Sequence, residues 1–169
     1  MAEFRLNIAN LAEGVHQFSF KAIPGNIGLD DSFNGMVEVE ATLEKMAHQF
    51  FLKAKAHVER LCECDRCLEQ FPLDLRREYS VVYLHEGEIS IFDEEAEEIQ
   101  FLPYDANYID LDEDIRQYIM LAIPVKLLCK EDCLGICPIC GANRNETKCN
   151  CEIQEVDPRW DKLRERTFN

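Results

Sequence analysis

The sequence predicts an α+β fold: a mainly antiparallel β-sheet, one core helix near 111–123, and a cysteine-rich C-terminal tail ending in a short helix. Three observations predict it. Long stretches before residue 85 alternate apolar and polar side chains, the period-2 signature of half-buried strands. One later stretch, from Leu111 to Ala122, places its apolar residues at helical spacing instead. All nine cysteines lie after residue 61, in two groups, and cysteines packed singly into a core would not cluster this way.

In chain order, residues 4–9 and 15–23 read as short strands, and Pro24-Gly25-Asn26 as the turn that ends the second. Asn34-Gly35 is a second turn signal. Beyond it Val37, Val39, Ala41 and Leu43 alternate with Glu38, Glu40, Thr42 and Glu44, which gives one apolar and one solvated face. From 50 to 61, Phe50, Leu52, Ala54, Ala56 and Val58 share a parity, so a strand is expected, although the alanines also permit a helix. From 71 to 83, Phe71, Leu73, Leu75, Tyr79, Val81 and Tyr83 repeat the pattern. Successive strands with short connections favour antiparallel pairing. Residues 86–98 (EGEISIFDEEAEE) are too acidic for a core element and read as a solvated loop. The helix then starts with Asp110 as its cap and Glu113 reaching back to complete a capping box. Leu111, Ile115, Tyr118, Ile119 and Ala122 line its apolar face, and Pro124 cannot continue it. Near the end, Asp157-Pro158 starts a short helix that Trp160 and Leu163 could dock. The expected organisation is a β-rich domain with its packed helix over 1–128, and a cysteine-rich extension over 129–169 that shares one site with the 64–67 turn.

Charge narrows the partners. The chain of 169 residues has a net charge of -15, and the acidity is local. Residues 86–121 hold 12 acidic side chains and one basic, a net of -11, while residues 122–169 balance at 8 of each. A protein that binds nucleic acid by simple phosphate neutralisation needs an obvious basic region. If RNA is touched, the candidates are Lys53, Lys55, Arg76, Arg77, Arg144, Lys148, and the tail's Arg159, Lys162, Arg164 and Arg166. No stretch approaches the ~20 apolar residues of a membrane span. The N-terminus has no basic region followed by an apolar run, so the expected location is cytoplasmic.

In a reducing compartment nine cysteines are metal ligands, redox thiols or packed thiols, not disulfides. Cys64-Asp65-Arg66-Cys67 is a C-x-x-C turn, half of a tetrahedral site. Cys137-Pro138-Ile139-Cys140-Gly141 is another, and Cys129, Cys133, Cys149 and Cys151 supply further sulfurs. The economical pairing is two sites, one of Cys64, Cys67, Cys129 and Cys133, the other of Cys137, Cys140, Cys149 and Cys151, with Cys62 left over. A pairing with Cys62 in place of Cys64 or Cys133 stays open at this point. Zinc suits four thiolates at this spacing; about two ions per chain are expected. An iron–sulfur cluster uses the same ligand count, and a redox C-x-x-C needs a thioredoxin-like strand–helix context that Cys64 lacks. A site filled by four thiolates has no open position for water or substrate and stabilises structure. His16, His48, His57 and His85 form no catalytic or metal motif, and there is no Gly-rich phosphate loop. No catalytic constellation, small-molecule substrate or membrane partner is expected.

Cys64-Asp65-Arg66-Cys67-Leu68-Glu69-Gln70-Phe71 resembles the "C-x-R-C-L-x-x-F" signature of the YceD family, the large ribosomal RNA subunit accumulation proteins. Leu121-Ala122-Ile123-Pro124 followed by Cys129 and Cys133 is similar too. So are the run from Gly135 to Asn145, which resembles "G-L-C-P-x-C-G-x-N-x-N", and Asp157-Pro158-Arg159-Trp160. Arg144 departs from the usual Leu. The resemblance implies a non-enzymatic role in synthesis, processing or stability of 23S rRNA, hence in large-subunit assembly. The implied partners are the precursor large subunit, 23S rRNA or a basic ribosomal protein. An adaptor whose acidic segment 86–114 captures that basic protein without touching RNA is the alternative, and opposite potentials would steer such an association.

Overall fold

Alternation in the sequence becomes a five-stranded sheet in the computed structural model, which describes residues 3–47, 49–85 and 98–151. The chain runs β1 (Arg5–Asn7), β2 (Gly14–Ala22), a 3-10 turn (Pro24–Ile27), β3 (Phe33–Met46), β4 (Gln49–Glu63), β5 (Gln70–His85), β6 (Glu98–Leu102), β7 (Tyr108–Asp110) and α1 (Asp112–Leu121). The large sheet has the order β2-β3-β4-β5-β6, and β1 pairs with β7 in a separate ribbon. β2–β3 and β3–β4 are antiparallel, with Val39 facing Phe20 on one side and Ala56 on the other. Val37, Val39, Ala41, Leu43, Leu52, Ala54, Ala56 and Val58 are buried, as their shared parity requires. The alanines of β4 lie in strand, because packing on a sheet face overrides a weak helix preference.

Contacts divide the chain into two compact units. One comprises Met1–Cys62 and Gln70–Leu127; the other comprises Glu63–Glu69 and Leu128–Asn169. In the first unit, Ile115, Tyr118 and Ile119 of α1 join Leu6, Ile109, Leu75, Tyr79, Val81 and Tyr83 in one core. Asp112 ties the N-terminal strand to the helix start by accepting the backbone N–H of Phe4 at 2.7 Å and of Glu3 at 3.0 Å.

Four local expectations change. Asn34-Gly35 is not a turn between strands; it lies inside β3, where the ladder with β4 shifts register between Asn34 and Glu38 and Gly35 adopts φ 73°. The main sheet is not purely antiparallel, because β6 pairs parallel with β5, Val81 facing Glu98. The helix begins at Asp112: Asp110 accepts the Asp112 N–H at 3.1 Å, but Glu113 does not reach back. Its carboxylate instead holds Arg116 and Gln117 on the same helix and is drawn down to about 2 by them. Finally, β6 and β7 lie between the expected acidic loop and the helix, where the sequence predicts no strand. Of the acidic stretch 86–98 expected as a loop, all but Glu98 lies outside the described residues, as does the short helix expected near Asp157.

Two tyrosines in the core give a stability test. The Tyr83 hydroxyl donates to Asp114 Oδ2 at 2.9 Å, and Gln100 Nε2 donates to Oδ1 of the same carboxylate at 3.0 Å. Tyr79 stacks on Tyr118 with ring centroids 4.1 Å apart, but its buried hydroxyl has no hydrogen-bond partner among the described residues. A buried hydroxyl without a partner carries an uncompensated desolvation penalty, whereas a bond to a charged acceptor is worth about 1.5–3 kcal/mol. Urea unfolding should therefore find Tyr79→Phe neutral or stabilising and Tyr83→Phe destabilising by about 1.5–3 kcal/mol. Equal losses for the two would contradict this reading of the core.

Candidate metal centres

The two C-x-x-C turns fold alike. In the first, the Cys64 N–H donates to Glu69 O and the Leu68 N–H donates back to Cys64 O, both at 2.9 Å. In the second, the Cys137 N–H donates to Ala142 O at 2.8 Å and the Gly141 N–H donates to Cys137 O at 2.9 Å. Each turn therefore places a left-handed residue just after its second cysteine: Leu68 at φ 62° and Gly141 at φ 73°. Glycine occupies such a position without strain; leucine pays about 1–2 kcal/mol there. The turns expose N–H groups toward the sulfur of the first cysteine, as metal-binding turns do.

The sulfurs converge in two groups. Cys64, Cys67, Cys129 and Cys133 have Sγ atoms all within 4.8 Å of one another, and so do Cys137, Cys140, Cys149 and Cys151. Cys64 Sγ lies 3.8 Å from Cys133 Sγ, and Cys67 Sγ lies 3.6 Å from Cys129 Sγ. These separations are far beyond a disulfide bond of about 2.0 Å. They match the edge of a tetrahedron built on metal–sulfur bonds of about 2.3 Å, which is about 3.8 Å. A multi-iron cluster spreads its four thiolates over two or four irons and so holds some of the sulfurs farther apart, whereas all four lie within 4.8 Å here, so a single tetrahedral ion fits better. Cys62 belongs to neither group; it is buried in β4, and burial pushes its thiol up.

Electrostatics give an independent test of fit. Burial pushes the Cys64 thiol up, but the N–H groups of Cys129, Cys67 and Arg66 outweigh it and bring it down to about 6. The N–H groups of Cys140 and Ile139 bring Cys137 to about 6. Cys129 is pushed up to about 12 by burial and by Cys67, Cys133 and Cys64. Cys151 rises to about 12 through Cys140 and burial. Each cluster thus ionises readily at one sulfur and resists ionisation at another, as adjacent like charges must. A cation removes that conflict by stabilising all four thiolates, so the donor set suits a soft divalent ion.

Neighbours hold the clustered cysteines in place. The Arg66 guanidinium donates to Cys133 O at 2.8 Å, and the Ile136 N–H donates to Arg66 O at 2.9 Å. Gly135 sits where a Cβ would lie 2.8 Å from Arg66 O. Asn145 donates to Cys133 Sγ at 3.4 Å. Spacing arguments pass over Arg66, Gly135, Asn143 and Asn145. The two asparagines sit inside the "G-x-N-x-N" stretch, and short amide side chains between two ligand pairs are the signal that could have found them.

The other sequence candidates behave differently. Lys55 pairs with Glu78 at 2.7 Å and Arg76 with Asp74 at 2.8 Å; Lys53 lies over the Phe51 ring, 5.1 Å from its centroid. Arg144 and Lys148 are exposed, and Arg159, Lys162, Arg164 and Arg166 lie outside the described residues. His57 pairs with Asp74, while His16 and His85 meet the carbonyls of Ala12 and Pro103. His48 also lies outside the described residues. No helix among the described residues is long and apolar enough to cross a membrane.

A family model described as "Large ribosomal RNA subunit accumulation protein YceD" matches residues 52–165, a span that contains all eight clustered cysteines. The chain belongs to the YceD family. It is 27% identical over 143 residues to uncharacterized proteins of Mycobacterium bovis and Mycobacterium tuberculosis, covering 83% of this chain and 68% of theirs. It is 38% identical over 55 residues to the chloroplastic "Large ribosomal RNA subunit accumulation protein YCED homolog 1" of Arabidopsis thaliana, covering 32% of this chain and 17% of that one. No solved structure matches. Membership in the YceD family supports a role in biogenesis of the large ribosomal subunit.

Proposed function

We propose that this YceD-family chain is a non-enzymatic, cytoplasmic zinc-binding factor that supports synthesis, processing or stability of 23S rRNA during large-subunit assembly. One observation carries the reading: within the family-matched span, eight cysteines form two four-sulfur clusters of tetrahedral size. Filled by one ion each, such clusters leave no coordination position for a substrate, so their work is to hold a surface in shape. Cys64, Cys67, Cys129 and Cys133 would hold one zinc, and Cys137, Cys140, Cys149 and Cys151 the other. Metal analysis of purified protein should find two zinc per chain; iron with visible absorbance would replace zinc in this reading. Depleting the protein from cells should lower mature 23S rRNA and large subunits relative to small ones, and unchanged ratios would refute the ribosomal role.

A second reading is an acidic adaptor that captures a basic ribosomal protein without contacting RNA. It is favoured by the net charge of -11 over residues 86–121, and by the pairing of Lys55 and Arg76 with carboxylates, which leaves the sheet less attractive to phosphate. Purified protein mixed separately with 23S rRNA fragments and with basic ribosomal proteins, across a salt series, separates the two. RNA affinity that falls steeply with salt supports direct contact; tight protein binding with no RNA binding supports the adaptor.

A further inference from the structure

Cys140 and Cys149 bracket the loop 141–148, so an ion at the second cluster closes that loop. Inside it, the Asn145 side chain reaches a cysteine of the first cluster. Its Oδ1 accepts the Leu134 N–H at 2.9 Å, and its Nδ2 donates to Cys133 Sγ at 3.4 Å and to Asn143 Oδ1 at 2.9 Å. Asn143 Oδ1 also accepts the Asn145 N–H at 3.0 Å. The loop is stitched to the segment that follows Cys133: the Arg144 N–H donates to Gly135 O at 2.9 Å, and Asn143 pairs with Ile136. A ligand of the first cluster therefore receives its side-chain N–H donor from a loop that the second cluster closes.

We infer that Asn145 is a positioning residue for the first metal site, and that filling the second site strengthens the first through it. This rests on the reading that both clusters take an ion. An amide N–H on a ligating sulfur orients it and spreads its charge, and losing such a partner typically weakens metal binding 10–100-fold. With the second cluster empty, the loop is open at its Cys149 end, and holding Asn145 on Cys133 requires ordering the loop at the moment the first ion binds. An ion already at the second cluster has met that cost. Coupling of this kind is reciprocal: the first ion must favour the second by the same factor.

The test uses the full-length chain, with cobalt(II) as probe and a chelator in competition; thiolate-to-cobalt absorbance reports occupancy. Cys140→Ser/Cys149→Ser reports the first site alone, and Cys64→Ser/Cys67→Ser reports the second alone. Asn145→Leu removes both donor and acceptor. Asn145→Asp keeps an acceptor for the Leu134 N–H and removes the donor to sulfur. In the two-site protein, Asn145→Leu and Asn145→Asp should each weaken the first site by about 10–100-fold. Emptying the second site should weaken the first by a similar factor, and adding Asn145→Leu to that variant should cost little more, because both changes remove the same contact. The inference is overturned if Asn145→Asp leaves first-site affinity unchanged, or if the losses multiply. Absence of cobalt–thiolate bands in the unaltered protein would instead refute the metal reading beneath it. Far-ultraviolet circular dichroism of each variant, unchanged, shows that the β-sheet remains folded.

Discussion

Gly135→Ala is expected to destabilise the cysteine-rich unit by about 2–4 kcal/mol and to weaken the proposed first metal site accordingly. Two separate effects add. Gly135 sits at φ 72°, a conformation that costs any residue with a Cβ about 1–2 kcal/mol. The added Cβ would also lie 2.8 Å from the Arg66 carbonyl oxygen, which is backbone and cannot swing aside. Relief requires moving Gly135 away from Arg66. That movement breaks the bond from the Ile136 N–H to Arg66 O and shifts Cys133, whose carbonyl the Arg66 guanidinium holds. Gly141 is the natural control. Its φ of 73° is nearly the same, but a Cβ there meets nothing within 4 Å. Gly141→Ala should therefore show only the conformational part, about 1–2 kcal/mol. Thermal melts of the metal-loaded proteins, followed by chelator competition, measure both. Similar losses for the two alanines would mean that the close approach at Arg66 is not what demands glycine.

The contrast between these glycines marks where sequence reasoning stops. Gly141 follows a C-x-x-C and is legible from that alone. Gly135 is needed because a residue almost seventy positions away passes beside it, and no local pattern records that. The fold divides the same way. Val37 to Leu43, Phe50 to Val58 and Leu75 to Tyr83 reveal their strands because one face of each meets a continuous core and a one-residue slip would invert it. β6 and β7 are five and three residues long, follow an acidic run, and owe their existence to partners chosen by topology. The parallel β5–β6 pairing is invisible in either strand read alone. Asn34-Gly35 has the local chemistry of a turn, yet β3 continues through it as a shift in the ladder, since partners on β4 hold both sides. Glu113 has the spacing of a capping box, but Arg116 and Gln117, one turn along the helix, compete for its carboxylate and win. Cysteine spacing foretells the two four-sulfur groups because a C-x-x-C turn limits how far apart its sulfurs can be; Asn145 answers to no such rule.

Stripping the metal should produce the largest change of all. Amide protection is expected to vanish across 64–69 and 128–151 while the amides of β3, β4 and β5 keep theirs. The reason lies in what each unit buries. The sheet unit has a continuous apolar core that includes Phe4, Leu43, Leu52, Val58, Tyr83, Ile109 and Ile115. In the other unit, the buried residues among those described are Cys64, Cys67, Cys133, Cys137 and Gly135, while Leu68, Leu134 and Ile139 are 54%, 60% and 56% exposed. Ordering each backbone residue costs about 1–2 kcal/mol, and almost no apolar burial stands against that cost. A bound structural zinc contributes about 10–16 kcal/mol in small zinc-binding peptides, which is the right scale to supply it. Acid should act in the same direction. Thiolates are the binding form, and Cys64 and Cys137, held down to about 6, take up protons as the pH falls through that value. Their contribution is present above the ordinary thiol range and is lost as the pH falls through about 6, so metal affinity should fall progressively between the ordinary thiol range and about pH 6. Hydrogen exchange with and without chelator decides the matter: protection that persists at Cys133–Asn145 in metal-free protein would show that this unit folds by contacts other than its thiolates. Loss confined to that unit, restored on adding zinc, would show that the ions take the place of its hydrophobic core.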